Sequence, residues 1–264
     1  LSNREDVCIV GAFEADAQAR ANAEKKGVVF TYDSLEQLLA DPQVEVVAIG
    51  DYFGARGGIA IRALQAGKHV LSDKPICTSL RELETIRAEA EARNLTVGMM
   101  LDMRSNPRIY TALEAIRGGA VGKISNVCFE GQHPLMYGLR PRWYYEEGKH
   151  GGVINDIAIH GIDILQYVMG PVKSVSGIAR TLVRNIEVED TAVAVLEFEN
   201  GALGQIVGTT SIAPGSDRVL EICGSEGTIV LTEDSVTSWN CPNMELPEEL
   251  AQTNRTGSTA ADPT

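Results

Sequence analysis

Several features that would quickly assign a protein to a class are missing from this chain of 264 residues. No apolar run is long enough to cross a membrane, and the first residues, LSNREDV, lack the apolar core of a signal peptide. Basic residues are not in excess, since the formal net charge is −13 at pH 7. An acidic chain is a poor partner for nucleic acid or for anionic membrane surfaces. We therefore expect a cytoplasmic protein that binds neither.

Paired cysteines are also missing. The five cysteines are odd in number, scattered, and form no CxxC motif. This pattern predicts reduced, mostly packed thiols, with neither a disulfide framework nor a metal site. The cysteines are Cys8, Cys77, Cys128, Cys223 and Cys241.

A third missing feature is a GxGxxG turn, because only Gly11 lies near the first apolar run at residues 7–12. In dinucleotide-binding domains this turn follows the first strand, and its backbone N–H groups hold the phosphates. In a chain of that kind it would precede Leu1. We expect either that the start of such a domain lies outside this sequence or that the chain binds no dinucleotide.

What is present in the first hundred residues is an alternation of short apolar runs and helical segments. Alternating strands and helices indicate a doubly wound α/β fold with a parallel sheet, in which ligands bind beyond the carboxyl ends of the strands. We predict such a Rossmann-like, N-terminally incomplete domain over residues 1–104. The predicted strands are 7–12, 44–50, 69–72 and 96–100, and the predicted helices are 15–26, 34–40, 56–66 and 80–93.

Polar residues follow several of these strands. Glu14 comes shortly after the first, where an acid can bind the ribose hydroxyls of NAD and repel the 2′-phosphate of NADP. It can equally be a first-turn acid that interacts with a helix dipole. Lys74 is held on a turn by Pro75 and either polarises a hydroxyl or carbonyl group or is simply solvated. The candidate cofactor-binding residues are Glu14, Gly50, Asp51, Asp73, Lys74 and Arg104.

The second part of the chain has a different pattern. After a helix at 107–117, successive strands with tight turns predict an α+β domain over residues 105–231 with a mainly antiparallel sheet. Asn200-Gly201 predicts a two-residue hairpin. The uncovered face of this sheet predicts a homodimer or homotetramer, and residues 232–264 are predicted to be an irregular tail. The predicted strands are 124–130, 172–182, 191–198, 202–208, 218–222 and 227–231.

The stretch GGVINDIAIHGID at residues 151–163, here called the signature segment, carries the clearest candidate chemistry. If it is helical, Asp156, His160 and Asp163 share one face, and Tyr167 continues that line. A carboxylate beside an imidazole at the start of a half-buried helix indicates proton transfer. The alternative is an i, i+4 pair on a solvated helix face.

The preceding segment, HPLMYGLRPRWYYEEGKH at residues 133–150, is rich in aromatic and basic residues. Loops of this kind often bind ligands, although a loop that packs its own aromatics is the ordinary case. The residues that can line a polar pocket for a sugar or polyol are Arg140, Arg142, Trp143, Tyr144 and His150.

Three motifs give the chain a family resemblance over most of residues 5–231. AGKHVLSDKP at 66–75 is similar to AGKHVxxEKP, the signature segment is similar to GGxxxDxxxHxxD, and FENGALG at 198–204 resembles a hairpin. Together they resemble the Gfo/Idh/MocA oxidoreductases, which include glucose–fructose oxidoreductase and inositol dehydrogenase. Two positions depart from the family pattern: Asp73 replaces a glutamate, and GDYFGARGG at 50–58 stands where the family has TPxxxH.

The resemblance implies an NAD-dependent oxidation of a secondary alcohol on a sugar or cyclic polyol, or the reverse reduction. It implies that Lys74 is the active-site lysine, that Asp156 and His160 bind substrate and transfer a proton, and that Glu14 binds ribose. We expect the Lys74 amine and the Asp156–His160 couple to act at one cleft. The candidate substrate-binding residues are Arg142, Trp143, Asn155, Asp156 and His160.

Two other functions stay open on the sequence. One is a hydrolase or lyase on the same scaffold, in which transient oxidation by tightly held NAD permits elimination. The other is a non-catalytic sugar-binding or assembly protein, because a fold alone does not guarantee function.

Overall fold

The computed structural model describes residues 5–135, 138–183, 185–211, 217–232 and 235–251. The chain divides into two compact units, Leu1–Met100 and Leu101–Thr264. Each unit has its own hydrophobic core.

The first unit contains a three-stranded parallel sheet in the order β1-β2-β3. This arrangement confirms the prediction of a partial, Rossmann-like sheet. Its strands are β1 (Val46–Ile49), β2 (His69–Asp73) and β3 (Val97–Met100), and its helices are α1 (Ala17–Glu24), α2 (Leu35–Ala40), α3 (Phe53–Gln65) and α4 (Leu80–Arg93).

Local sequence signals explain where several of these elements begin. Ser34 caps α2 by accepting a hydrogen bond from the Gln37 backbone N–H, as the capping-box spacing predicted. Small residues along α3 allow the helix to approach the sheet closely, and Ala60 and Ala63 are fully buried there.

The predicted strand at residues 7–12 is wrong for this structure. These residues pair with no strand in the described part of the chain, and Ile9 is 60% exposed. Their only ladder-like contacts are two hydrogen bonds from Thr31 and Tyr32 to the Ala12 carbonyl. An apolar run becomes a strand only when a neighbouring strand accepts and donates its backbone hydrogen bonds, and sequence pattern alone does not supply that neighbour.

The second unit contains a seven-stranded sheet in the order β10-β9-β8-β4-β7-β6-β5. Only the β4–β7 pair is parallel, so the predicted mainly antiparallel sheet is confirmed. The strands are β4 (Ile124–Gln132), β5 (Val172–Arg180), β6 (Thr191–Phe198), β7 (Leu203–Thr209), β8 (Asp217–Gly224), β9 (Thr228–Thr232) and β10 (Val236–Asn240), and the α-helices are α5 (Pro107–Arg117), α6 (Ile159–Met169) and α7 (Glu248–Ala251).

One face of this sheet carries the core of the second unit, where β4 meets α6. Phe129 on β4 is fully buried against the helix. A Cβ atom on Gly161 would lie 2.2 Å from the Phe129 ring, and one on Gly131 would lie 2.4 Å from Ile157. Glycine at these two positions therefore sets how closely the signature segment packs on the sheet.

The predicted irregular tail is wrong for Val236–Asn240 and Glu248–Ala251. Val236–Asn240 forms β10 antiparallel to β9, Trp239 donates a hydrogen bond to the Met244 carbonyl, and Leu250 is 3% exposed. The sequence VTSWN is largely polar and gives no clear strand pattern. It forms a strand because it pairs with β9. Residues 252–264, the rest of the predicted tail, lie outside the described residues.

No helix in the described ranges is long and apolar enough to span a membrane.

Candidate active site

The signature segment begins with one π-helical turn, Ile154–Ala158, which continues directly into α6. The sequence predicted a uniform α-helix. A π turn is wider than an α turn, and such turns occur frequently at functional sites. Asp156 lies in the π turn and His160 in α6, and their residues are only 5% and 6% exposed. The alternative of a solvated helix face is therefore wrong for these two side chains.

The Asp156 carboxylate lies between two imidazoles. Its Oδ2 atom is 3.3 Å from His150 Nε2 and 3.5 Å from His133 Nε2. His133 Nδ1 lies 3.0 Å from the Pro134 carbonyl, which can only accept, so Nδ1 carries the proton. Asp156, His133 and His150 are here called the proton-holding group, because each of these side chains has an atom that can carry a proton.

His160 has a separate set of neighbours. Its Nδ1 atom is 3.9 Å from Oδ1 of Asp102, whose side chain is 85% exposed. Three of the four histidines of the chain therefore lie within or beside the signature segment in this unit.

The other two residues of the predicted polar line, Asp163 and Tyr167, form contacts with arginine side chains. Asp163 forms a two-pronged ion pair with Arg104, in which Arg104 Nε donates to Oδ2 at 2.6 Å. The Arg104 guanidinium also lies 4.8 Å from the Tyr167 ring centre, and the Tyr167 hydroxyl accepts from Arg117 at 2.7 Å. The role of Arg104 in cofactor binding stays a prediction, and its described contacts are with this helix face.

The aromatic loop leads from the surface toward Asp156. Trp143 stacks on Tyr144 with ring centres 3.9 Å apart, and Tyr144 lies 5.1 Å from the buried His150 ring. The Arg140 guanidinium lies over the Tyr144 ring and donates a hydrogen bond to the Tyr144 hydroxyl at 2.7 Å. Arg142 has a side chain that is 93% exposed, beside Glu146. The loop therefore packs its own aromatics and also touches the proton-holding group.

Backbone contacts explain the paired glycines before the π turn. Gly152 has φ +81°, a left-handed conformation that favours glycine, and a Cβ atom there would lie 2.4 Å from the Glu189 carboxylate. The Val153 N–H donates to the Glu189 carbonyl, and the Asn155 side-chain amide donates to the Gly151 carbonyl at 2.8 Å. Asn155 therefore holds the start of the segment, and its predicted contact with substrate stays a prediction.

In the first unit, Lys74 follows β2 on a turn with a cis Lys74–Pro75 peptide. Its backbone N–H donates to Asp73 Oδ1 at 2.8 Å, and its Nζ atom lies 5.7 Å from the centre of the Phe53 ring. The side chain is half-buried, so it is not simply solvated.

Among the other predicted cofactor residues of this unit, Gly50 and Asp51 are exposed, whereas Glu14 and Asp73 are partly buried. Glu14 is partly exposed and accepts from the Asp16 N–H at 2.9 Å, just before α1. Gly50 ends β1 in open space, and Asp51 accepts from the Tyr52 N–H at 2.7 Å. A ligand can reach Gly50, Asp51 and the partly exposed Glu14, and their cofactor-binding roles stay predictions, as does that of Lys74. The sequence has no GxGxxG for the pyrophosphate.

Across the residues that the structure describes, no group of three or more His, Cys, Asp or Glu side chains is arranged to hold a metal ion.

Sequence reasoning missed two residues that contact the candidate groups. Arg56 was placed only at the start of a helix, yet it is 2% exposed and bonded to the Lys74 turn. His133 was noted only as the first residue of the loop at residues 133–150. A basic residue that begins an apolar helix directly after a buried strand was the available signal for Arg56. His133 directly follows β4, and no local sequence pattern predicted that it would lie beside Asp156.

A Rossmann-like unit followed by an α+β unit with a buried acid–imidazole group is the architecture of a two-domain dinucleotide-dependent oxidoreductase. Two family models match the chain: an oxidoreductase family model with an NAD-binding Rossmann fold over residues 1–101, and a GFO/IDH/MocA C-terminal domain over residues 109–230. The chain belongs to the Gfo/Idh/MocA oxidoreductase family.

Individual relatives agree with this assignment. The chain is 28% identical over 231 residues to myo-inositol 2-dehydrogenase of Thermotoga maritima, covering 81% of this chain and 67% of that enzyme. It is 26% identical over 227 residues to scyllo-inositol 2-dehydrogenase (NAD(+)) of Bacillus subtilis, covering 81% and 63%. The crystal structure of the WlbA dehydrogenase from Bordetella pertussis with NADH and UDP-GlcNAcA superposes with a TM-score of 0.80 at 28% identity, covering 88% of this chain and 69% of that one. The chain thus spans about two thirds of the length of its relatives.

Proposed function

We propose that this chain carries out an NAD-dependent oxidation of a secondary alcohol on a sugar or cyclic polyol, or the reverse reduction of the ketone. The observation that carries the proposal is the burial of Asp156 and His160 together on one helix, with His150 and His133 beside the carboxylate. A buried acid–imidazole group is costly to maintain, and it is the kind of group that general acid–base catalysis requires.

Each residue has a stated task in this proposal. His160 accepts the hydroxyl proton of the substrate, and Lys74 donates a hydrogen bond to the reacting oxygen and stabilises its developing charge. Asp156 binds a substrate hydroxyl, and the imidazoles of His133 and His150 lie beside its carboxylate. NAD, when bound, takes up the hydride that leaves the same carbon. Glu14 binds the adenosine ribose, which favours NAD over NADP.

The surroundings of Asp156 support this substrate class. The Trp143–Tyr144 stack offers a flat apolar face next to polar groups, which suits the alternating C–H and O–H faces of a sugar or polyol ring. Arg142 is exposed on the same loop, where it pairs with Glu146, and in this proposal it turns to a hydroxyl of the substrate. The inositol dehydrogenases to which the chain is similar act, by their names, on a cyclic polyol.

We also propose that two copies of the chain associate through the outer face of the seven-stranded sheet. Exposed apolar side chains line neighbouring strands there, with Ile178 on β5 paired with Val193 on β6. A second copy would cover these side chains.

The test is a His160→Ala variant assayed with NAD and a panel of inositols and sugars. Loss of a general base lowers turnover by about 10²–10⁴-fold, and NAD binding by calorimetry should be unchanged. Tyr167→Phe, on the same helix, is the matched control and should keep turnover. Unaltered turnover in His160→Ala would remove this residue from the proposal. Product formed without net release of NADH would favour the lyase instead.

A further inference from the structure

Arg56 is a buried cation at the carboxyl edge of the first unit. It lies in the first turn of α3, and its side chain is 3% exposed. Among the buried polar residues of this unit it carries the largest hydrogen-bonding head group. Burying a guanidinium costs free energy that an apolar side chain of similar volume would not cost. The residue is therefore present for what its N–H groups bind.

Those N–H groups connect the ends of two strands. Arg56 Nε donates to the Asp51 carbonyl at 2.6 Å, just beyond β1. The remaining groups bind the turn after β2: Nη1 donates to the carbonyls of Lys74 and Pro75, and Nη2 donates to the Asp73 carboxylate at 3.2 Å. One planar guanidinium thus holds both sides of the turn from which Lys74 projects.

The same helix places an aromatic ring under both cations. The Phe53 ring centre lies 4.6 Å from the Arg56 guanidinium carbon and 5.7 Å from Lys74 Nζ. The Lys74 backbone is fixed by Arg56 and its ammonium end lies near this ring, so α3 constrains the lysine at both ends. Arg56 lies within residues 50–58, the stretch at which this chain departs from TPxxxH.

We propose that Arg56 is a positioning residue for Lys74, holding the Asp73–Pro75 turn so that the Lys74 amine is presented in one place. The proposal rests on the proposed function in so far as Lys74 acts on the reacting oxygen. A lysine cannot replace the arginine here, because an ammonium group lacks the fixed planar fork that reaches three carbonyls and a carboxylate at once.

The first test uses the protein without cofactor. In Arg56→Lys, which keeps the charge, Lys74 should react with an amine-acylating reagent about fivefold faster relative to the exposed Lys25, the change expected from the loss of one net hydrogen bond. Peptide mass spectrometry measures both rates. Arg62→Lys is the matched control, because Arg62 lies on α3 and forms a surface pair with Glu36. An equal Lys74 rate in wild type and Arg56→Lys would overturn the proposal.

The second test is a double-mutant cycle on turnover. Arg56→Lys alone should lower kcat about 10–100-fold, as removal of a supporting residue does, with KM for the alcohol nearly constant. In a Lys74→Ala background the same change should cost little, because residues that act through one another are not additive. Additive losses would overturn the inference, whereas unchanged turnover in Lys74→Ala would overturn the proposed function instead. Arg56→Gln, which keeps a donor, is scored by the same criteria if Arg56→Lys does not fold.

Discussion

At the scale of single residues, His150 is the buried neighbour of the Asp156 carboxylate. It is 1% exposed, lies 3.3 Å from the Asp156 carboxylate, and contacts the Tyr144 ring. It thus links the aromatic loop to the proton-holding group. Its removal should affect both stability and catalysis, because the buried carboxylate would lose a polar neighbour and a cavity would remain.

The His150→Ala variant should therefore have a free energy of unfolding lower by about 2–4 kcal/mol, measured by urea denaturation. Arg142→Ala, eight positions away with a side chain 93% exposed, is the control and should change stability by less than about 0.5 kcal/mol. Equal stability of the two variants would show that the imidazole does not support Asp156.

At the scale of elements, the packing of the π turn and α6 on β4 depends on glycine. Gly161→Ala should destabilise the protein by about 1–3 kcal/mol, because its methyl group would overlap the Phe129 ring. Gly58→Ala should do the opposite and stabilise it by about 0.5–1 kcal/mol, since Gly58 is an exposed position of α3 with nothing within 4 Å of an added Cβ. Thermal unfolding followed by circular dichroism measures both, and equal signs would contradict this packing.

A second prediction at this scale concerns β10, the strand that the sequence pattern did not predict. Cys241 follows β10 and is 7% exposed, and burial raises the pKa of its thiol. The thiolate is the reactive form, so a raised pKa leaves less of it at neutral pH. Iodoacetamide should therefore label the exposed Cys8 well before Cys241, and 4 M urea should remove the difference through unfolding. Fast labelling of Cys241 in the native protein would show that β10 does not pack there.

At the scale of the whole molecule, the acidic chain carries an apolar surface on its second unit. Val193 and Val195 on β6 are 44% and 53% exposed, and Ile178 and Leu203 on the adjacent strands are 64% and 54% exposed. Contiguous exposed apolar side chains of this kind mark interaction sites.

If copies of the chain associate through this face, as proposed, Val195→Lys should lower the molar mass of the assembly, because the interface would have to bury a charge. Light scattering coupled to size-exclusion chromatography measures the molar mass. The control is Ile9→Lys, an equally exposed apolar position in the first unit. An unchanged mass in Val195→Lys would show that copies do not associate through this face.

Much of the fold could be predicted from local pattern. The helix Leu80–Arg93 and the helix Pro107–Arg117 have the predicted bounds, since a capping residue or a first-turn proline marks each start. Residues 7–12 and Val236–Asn240 could not be assigned correctly, because the presence or absence of a neighbouring strand decided each case. The same limit applies to the site. Asp156 and His160 are nine or fewer residues from Gly151 and Gly152, whereas His133 lies just after β4 and far from Asp156 in the sequence. In the first unit, Arg56 is likewise 18 residues from the Lys74 carbonyl that it binds.

The sequence by itself determined the classes of the two units, the family motifs, and the residues with the relevant chemistry, because these depend on periodicity and on short spacings. Only the tertiary structure decided that Asp156 lies between two imidazoles, that Asp163 is committed to Arg104, and that one buried guanidinium holds the Lys74 turn. Those contacts join residues far apart in the chain. Burial then sets whether a charged pair is a solvated surface feature or a proton-transfer group, and burial is a property of the folded chain.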